Sequence, residues 1–387
     1  MTGAHGAHGV HEAGTQPAGP RPDLPVPDHQ SRRDRLRADL AGAGVDLLLV
    51  TAPANVRWLS GFSGSNGQVL IGPEPGVDLL VTDGRYEHRA AVEAAGLPLA
   101  LTRAPLEIAL AACERGQRLG VEAVHLAWAD ATDWVEQGET AGVEVRPTRA
   151  LVERRRVVKD DAEIARLARA CALTVEALEW LFAEVVAVGR SERDLATALE
   201  RRFVDLGADG VAFASIVASG PNAAVPHHAP SDRRLQVGDV LTVDCGALVD
   251  GYHADCTRTV ALGHLDDRLR EVYAAVEAAQ AAGRAAAVAG ARAGDVDAAC
   301  REHLTAAGYG DRFVHGTGHG VGLDIHEAPA VGKGSPATLA PATALTVEPG
   351  VYLPGVGGVR IEDTIVVTAD GPPTILTTAP RALRVLS

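Results

Sequence analysis

The apolar positions of the chain switch between a helical period and the short continuous runs of buried strands, and that switching predicts a mixed α/β protein. SRRDRLRADLAGAGVDLLLVTAP predicts a helix over 31–41, a glycine-containing turn, then a buried strand over DLLLV. VLIG and DLLVTD predict further strands, 86–95 a helix, RLGVEA a strand and 129–139 another helix. Residues 31–150 therefore form a first α/β lobe. Beyond ERRRVVK, a basic patch, apolar residues at 164, 167, 171, 175, 178 and 181 recur with helical spacing behind Asp160 or Asp161 as the cap. Ser191, with Asp194 three residues on, opens a helix that runs to about Leu206. Strands follow over FASIVASG, DVLTVDCGALV and YHADCTRTVAL, and then the order starts again. Helices over 269–288 and 295–307 precede strands in ATALTVEPGVY and GVRIEDTIVVT. Two helices and then strands, twice, predict a second domain over 155–387 made of two similar halves with a crevice between them.

Composition narrows the function. At 387 residues and 47% hydrophobic, the chain has material for two cores. A formal charge of −14 and a pI near 5.4 give no basic field for nucleic acid or an anionic membrane. Five cysteines without CxxC pairs argue against a disulfide framework and against a zinc ribbon, and fit a reducing compartment. The first 30 residues lack the charged start and apolar core of a secretory signal, and no apolar run reaches membrane-spanning length. A cytoplasmic protein is expected. Residues 1–30, with His5, His8 and His11, read as a disordered Gly/Ala/Pro tail.

The candidate chemistry begins in TVDCGALVDGYHADCTRT. Asp250-Gly251 between two apolar runs predicts a two-residue hairpin turn. With Val249 facing Tyr252, Gly246 faces Asp255, and Asp244 shares that face. Such diagonal neighbours lie roughly 7 to 8 Å apart at the backbone, close enough for two carboxylates to meet around a metal pair. The glycine is expected to leave room for Asp255, and Cys245 and Cys256 point to the reverse face as packed thiols. Two more acids, Glu348 in ALTVEPGVY and Glu362 in GVRIEDTIVV, stand in strands too apolar for an unpaired carboxylate. Arg360 shares the face of Glu362 but cannot balance four acids. A divalent pair can, with His319 of VHGTGHGVGLDIHE supplying a nitrogen ligand.

The ordered set Asp244, Asp255, His319, Glu348 and Glu362, with PNAAVPHHAPSDR upstream and VHGTGHGVGLDIHE between, resembles the pita-bread metallopeptidases in their Xaa-Pro aminopeptidase and Xaa-Pro dipeptidase branch. GFSGSNG and VTDGRYEHRA are similar to the creatinase-type N-terminal domain of that branch. The resemblance implies a dinuclear site in which Asp244 holds one metal through both oxygens, His319 completes the other, Asp255 and Glu362 bridge, and Glu348 also manages the proton of the water. An oxygen-rich set favours Mn2+, with Co2+ or Zn2+ as substitutes. It further implies that His227, His315 and His326 line the substrate pocket and that Tyr352 and Arg360 stand behind the ligands, while the glycines let the peptide come close. His228 directly follows His227; the residue after the proline of PHHAP is the one assigned to the pocket.

The activity implied is hydrolysis of the Xaa-Pro bond at the N-terminus of short peptides, of aminopeptidase type, with a strict Xaa-Pro dipeptidase as the alternative and a homodimer or homotetramer as the assembly. A methionine aminopeptidase normally lacks the first lobe. A metal-free amidinohydrolase or a non-catalytic binding module on the same fold has lost ligands, and all five stand here. Asp83, Arg85 and Tyr86 of TDGRY read equally as a salt-bridged turn or a substrate contact.

Overall fold

The computed structural model describes residues 23–387. Its first lobe is a six-stranded mixed sheet, in the spatial order Leu99–Leu101, Leu79–Thr82, Gly67–Ile71, Leu47–Val50, Arg118–Glu122 and Glu144–Thr148. Leu47–Val50 is central and buried throughout, because one face packs with Leu36, Trp58 and Leu59 and the other with Leu106, Ala109 and Val143. That is why it is apolar at every position instead of alternating.

The second domain repeats its plan. Helices Asp161–Trp180 and Glu192–Asp205 pack on the sheet of Ile216–Ser219, Val240–Cys245, Cys256–Leu262 and Val385–Leu386. Helices Asp267–Ala286 and Ala293–Ala306 share a second core with strands Ala344–Val347, Gly350–Leu353 and Gly357–Arg360. Both expected helix starts carry full capping boxes, Asp160 with Glu163 and Ser191 with Asp194. A third core joins the lobes, with Val56, Trp58 and Leu59 against Leu167, Tyr252, Val321 and Leu323.

One expectation is corrected here. Residues 1–22 of the tail expected over 1–30, including His5, His8 and His11, lie outside the described residues, but 23–30 include packed chain. Leu24 rests on the core of the first half, the Pro25 carbonyl accepts from Arg166 Nη1 at 2.8 Å, and Asp28 caps the helix His29–Leu40. The basic patch is mostly the helix Leu151–Arg156, and Arg156 and Lys159 are buried. Two glycines of VHGTGHGVGLDIHE are required by neighbouring backbone. A Cβ at Gly318 would lie 2.1 Å from the Thr346 carbonyl oxygen, and one at Gly320 would lie 2.1 Å from that of Ala328. Gly318→Ala should therefore lower stability by about 2 kcal/mol or more, read by thermal or urea unfolding; an unchanged midpoint would contradict this account of the glycines.

Candidate metal centre

The hairpin forms as its sequence dictates. Asp250 and Gly251 take φ of 48° and 76°, Val249 pairs with Tyr252, and the register carries through to Cys245 opposite Cys256 and Asp244 opposite Thr257. Cys245 and Cys256 pack in the core of the first half, on the face away from the acids. The ladder breaks at Gly246, and the space of its absent side chain is filled by the Ala254 carbonyl oxygen, 1.8 Å from where a Cβ would stand. The glycine thus admits backbone, not the Asp255 carboxylate.

From opposite halves, four acids and one imidazole meet. Ligand atoms of Asp244, Asp255 and Glu362 lie within 4.8 Å of one another. His319 Nε2 is 3.5 Å from Asp255 Oδ2 and 3.4 Å from Glu348 Oε1. The Gly320 carbonyl accepts from His319 Nδ1 at 3.0 Å, which leaves the Nε2 lone pair facing the carboxylates. Burial pushes the His319 pKa down to about 4, so the ring is neutral near pH 7. Among the described residues one cation reaches into the cluster: Arg360 Nη2 donates to Asp244 Oδ2 at 2.8 Å. Burial and the carboxylates of Glu362, Asp244 and Glu348 push the Asp255 pKa well up. Glu362 moves the same way through burial and its acid neighbours. Glu348 is pushed up to about 8 by burial, against the pull of Arg360.

The cluster lies on a cleft of about 540 Å3 lined also by His227, His228, His315, His326, Phe213 and Ile325. The two adjacent histidines part company. His228 Nε2 bonds the buried Glu192 at 2.8 Å and anchors its loop, while His227 is exposed on the cleft. His326 is also exposed, its ring centroid 4.4 Å from that of His319. Both ring nitrogens of His315 have partners. The Gly316 carbonyl accepts from its Nδ1 at 2.8 Å, and Tyr352 Oη, which accepts from Arg360 Nη1 at 2.9 Å, donates to its Nε2 at 2.8 Å. Away from this cleft, Asp83 and Arg85 form a salt-bridged turn.

Comparison with known proteins agrees with this geometry. The family model described as metallopeptidase family M24 matches residues 165–369, and that of the creatinase/prolidase N-terminal domain matches 32–158. The chain belongs to metallopeptidase family M24. It is 33% identical over 342 residues to the Xaa-Pro dipeptidase of Pyrococcus furiosus, covering 88% of this chain and 96% of that one. The structure of an Xaa-Pro dipeptidase from Bacillus anthracis aligns with a TM-score of 0.87 at 36% identity, over 93% of this chain and 100% of the other. An X-Pro aminopeptidase from Thermotoga maritima aligns at 0.82 and 31%, over 92% and 100%.

As an M24 metallopeptidase the protein needs divalent cations, and the residues present suit them. Asp244 Oδ1 and Glu362 Oε1 are buried and accept no hydrogen bond among the described residues, leaving oxygens to be satisfied by an ion. Two hydroxyls that sequence reasoning missed each hold one carboxylate oxygen: Thr257 Oγ1 donates to Glu362 Oε2 at 2.7 Å and Thr346 Oγ1 to Glu348 Oε1 at 3.2 Å. Strand alternation holds the signal for both, since Thr257 follows Asp255 by two residues and Thr346 precedes Glu348 by two.

The raised Glu348 pKa has a consequence for the metal-free M24 chain. A group whose folded pKa, about 8, exceeds its ordinary 4.5 contributes stability that is full below 4.5 and lost as pH rises through 8. Measured against Glu348→Gln, which shares every other titrating group, the melting temperature of metal-free protein should therefore fall between about pH 5 and about pH 8, and the difference should shrink when Mn2+ is present. Parallel pH profiles of the two proteins would contradict the assignment.

Proposed function

We propose that this metallopeptidase hydrolyses the bond between an N-terminal residue and proline in short peptides. The observation that carries the reading is the five-residue cluster on a cleft that also offers Phe213, Ile216 and Ile325 as apolar surface for a proline ring. The relatives named above support proline as the second residue. Proline's tertiary amide has no N–H to recognise, so such a pocket works by shape and apolar contact. Of the two forms, we place the Xaa-Pro dipeptidase first, on the two dipeptidase relatives, and the aminopeptidase expected from sequence second, on the Thermotoga maritima structure.

Asp244, Asp255, His319, Glu348 and Glu362 would hold two ions, and their oxygen-rich chemistry favours Mn2+, with Co2+ or Zn2+ able to substitute. Such ions, when bound, acidify water and polarise a carbonyl. The chain's own groups do the rest. Glu348, steadied by Thr346, carries the proton from the attacking water to the departing proline nitrogen. His227 and His326, which line the cleft, orient the substrate. His315 acts through position, locked between Tyr352 and the Gly316 carbonyl, and Arg360 holds Asp244 and Tyr352 together. Five free cysteines fit the cytoplasm, and no helix among the described residues is long and apolar enough to cross a membrane. A homodimer or homotetramer is the assembly this reading carries.

With Mn2+ present, the chain should release free amino acid from an Xaa-Pro dipeptide and leave an Xaa-Ala control intact. Cleavage of an Xaa-Pro-Xaa tripeptide would select the aminopeptidase form, and no cleavage of any peptide under Mn2+, Co2+ or Zn2+ would refute the reading. Asp255→Ala should abolish both metal binding and cleavage while circular dichroism reports an intact fold; full activity in that variant would remove Asp255 from the site.

A further inference from the structure

The six residues Val321–His326 join strand Gly318–Gly320 to strand Glu327–Val331 and carry His326 to the cleft. The His326 ring makes no hydrogen bond among the described residues, so the backbone of this loop sets where it stands. One anchor is His253, whose backbone N–H donates to the Gly322 carbonyl at 2.9 Å. The others come from the connection between the lobes. Arg156 Nη2 donates to Glu327 Oε2 at 2.5 Å and to Asp324 Oδ2 at 2.7 Å, and Lys159 Nζ donates to Glu327 Oε1. The Lys159 side chain has no exposed surface and that of Glu327 only 8%. Even the glycine before them is shaped to this contact, since a Cβ at Gly322 would lie 2.6 Å from Glu327 Oε1.

The chain of bonds continues into the first lobe. Arg156 Nη1 donates to Asn55 Oδ1 at 2.7 Å, and Asn55 Nδ2 donates to Glu122 Oε1 at 2.6 Å. Glu122 Oε2 in turn accepts from the backbone of Thr51 and Ala52 at 2.6 and 2.7 Å, where the central strand of the first sheet ends. A buried ion pair of this kind is weak support for stability, because desolvation offsets most of its attraction; it fixes geometry instead. Glu327 belongs to none of the five ligands, yet it is the residue next to His326.

We propose that Arg156 and Lys159, gripping Glu327, are positioning residues for His326, so that the connection between the lobes sets substrate binding in the cleft. This rests on the reading that His326 faces the substrate. The device also gives the buried basic residues of ERRRVVK a task that metal binding does not.

The test uses the full-length, Mn2+-loaded protein in Lys159→Met, Lys159→Arg and the double variant Lys159→Met with Glu327→Gln, which leaves no orphan charge if the single change fails to fold. In the Met variants, KM for an Xaa-Pro dipeptide should rise ~tenfold with a smaller change in kcat, while Mn2+ affinity stays within about threefold; Lys159→Arg should restore most of the loss. An independent readout is the NMR signal of the His326 ring in metal-free protein, assigned by its absence in His326→Gln. It should move in the Met variants and return in Lys159→Arg. An unmoved His326 signal, or a loss of activity that only follows the folded fraction, would overturn the proposal. If the wild-type chain cut no Xaa-Pro peptide, the substrate reading would fail, and the ring signal would still decide the positioning claim.

Discussion

Negative charge packed into one crevice with too little cation is the constraint on which the rest of the structure depends. Asp244, Asp255, Glu348 and Glu362 converge from both halves of the second domain, and Arg360 is the cation that reaches them. Buried first of all, and crowded by one another, Asp255, Glu348 and Glu362 resist ionisation, and their pKa values are raised. The protein does not dissolve the conflict with more arginines. Among the described residues, two buried oxygens accept no hydrogen bond and an imidazole lone pair is aimed at the gap, an arrangement that a divalent cation completes.

Holding that conflict in place requires rigid backbone, and the neighbouring sequence supplies it. The acids stand on or beside strands whose close approach is possible only with glycine at 246, 318 and 320. Thr257, Thr346 and Tyr352 fix the oxygens and the imidazole that flank the centre. A loop pinned by Glu192 through His228, Ser219, Asn222 and Ser231 presents His227. Glu192 is pulled in two directions: burial raises its pKa, and these bonds outweigh burial and bring it down to about 2, so it stays ionised as the anchor.

Local signals made much of this legible in the sequence. Asp250-Gly251 specified the turn, strand parity then placed Asp244 and turned Cys245 and Cys256 away, and Ser191 and Asp160 marked their helices by side-chain chemistry confined to four residues. What stayed hidden depends on distant partners. Short edge strands such as Leu99–Leu101, half-exposed and three residues long, carry too little pattern. Lys159 and Arg156 look like surface charge because Glu327 lies 168 and 171 positions away. That Gly318 and Gly320 are needed by backbone shows only when the carbonyls of Thr346 and Ala328 are seen beside them. His227 and His228 are alike as letters, and Glu192 separates them only in space.

Calorimetric titration of the metal-free protein with Mn2+ near pH 7, in two buffers of different ionisation enthalpy, tests the central claim most directly. The account predicts two ions per chain and release of protons on binding, because carboxyls that hold protons in the empty crevice must surrender them to metal. Binding without proton release, or no binding of Mn2+, Co2+ or Zn2+, would contradict it.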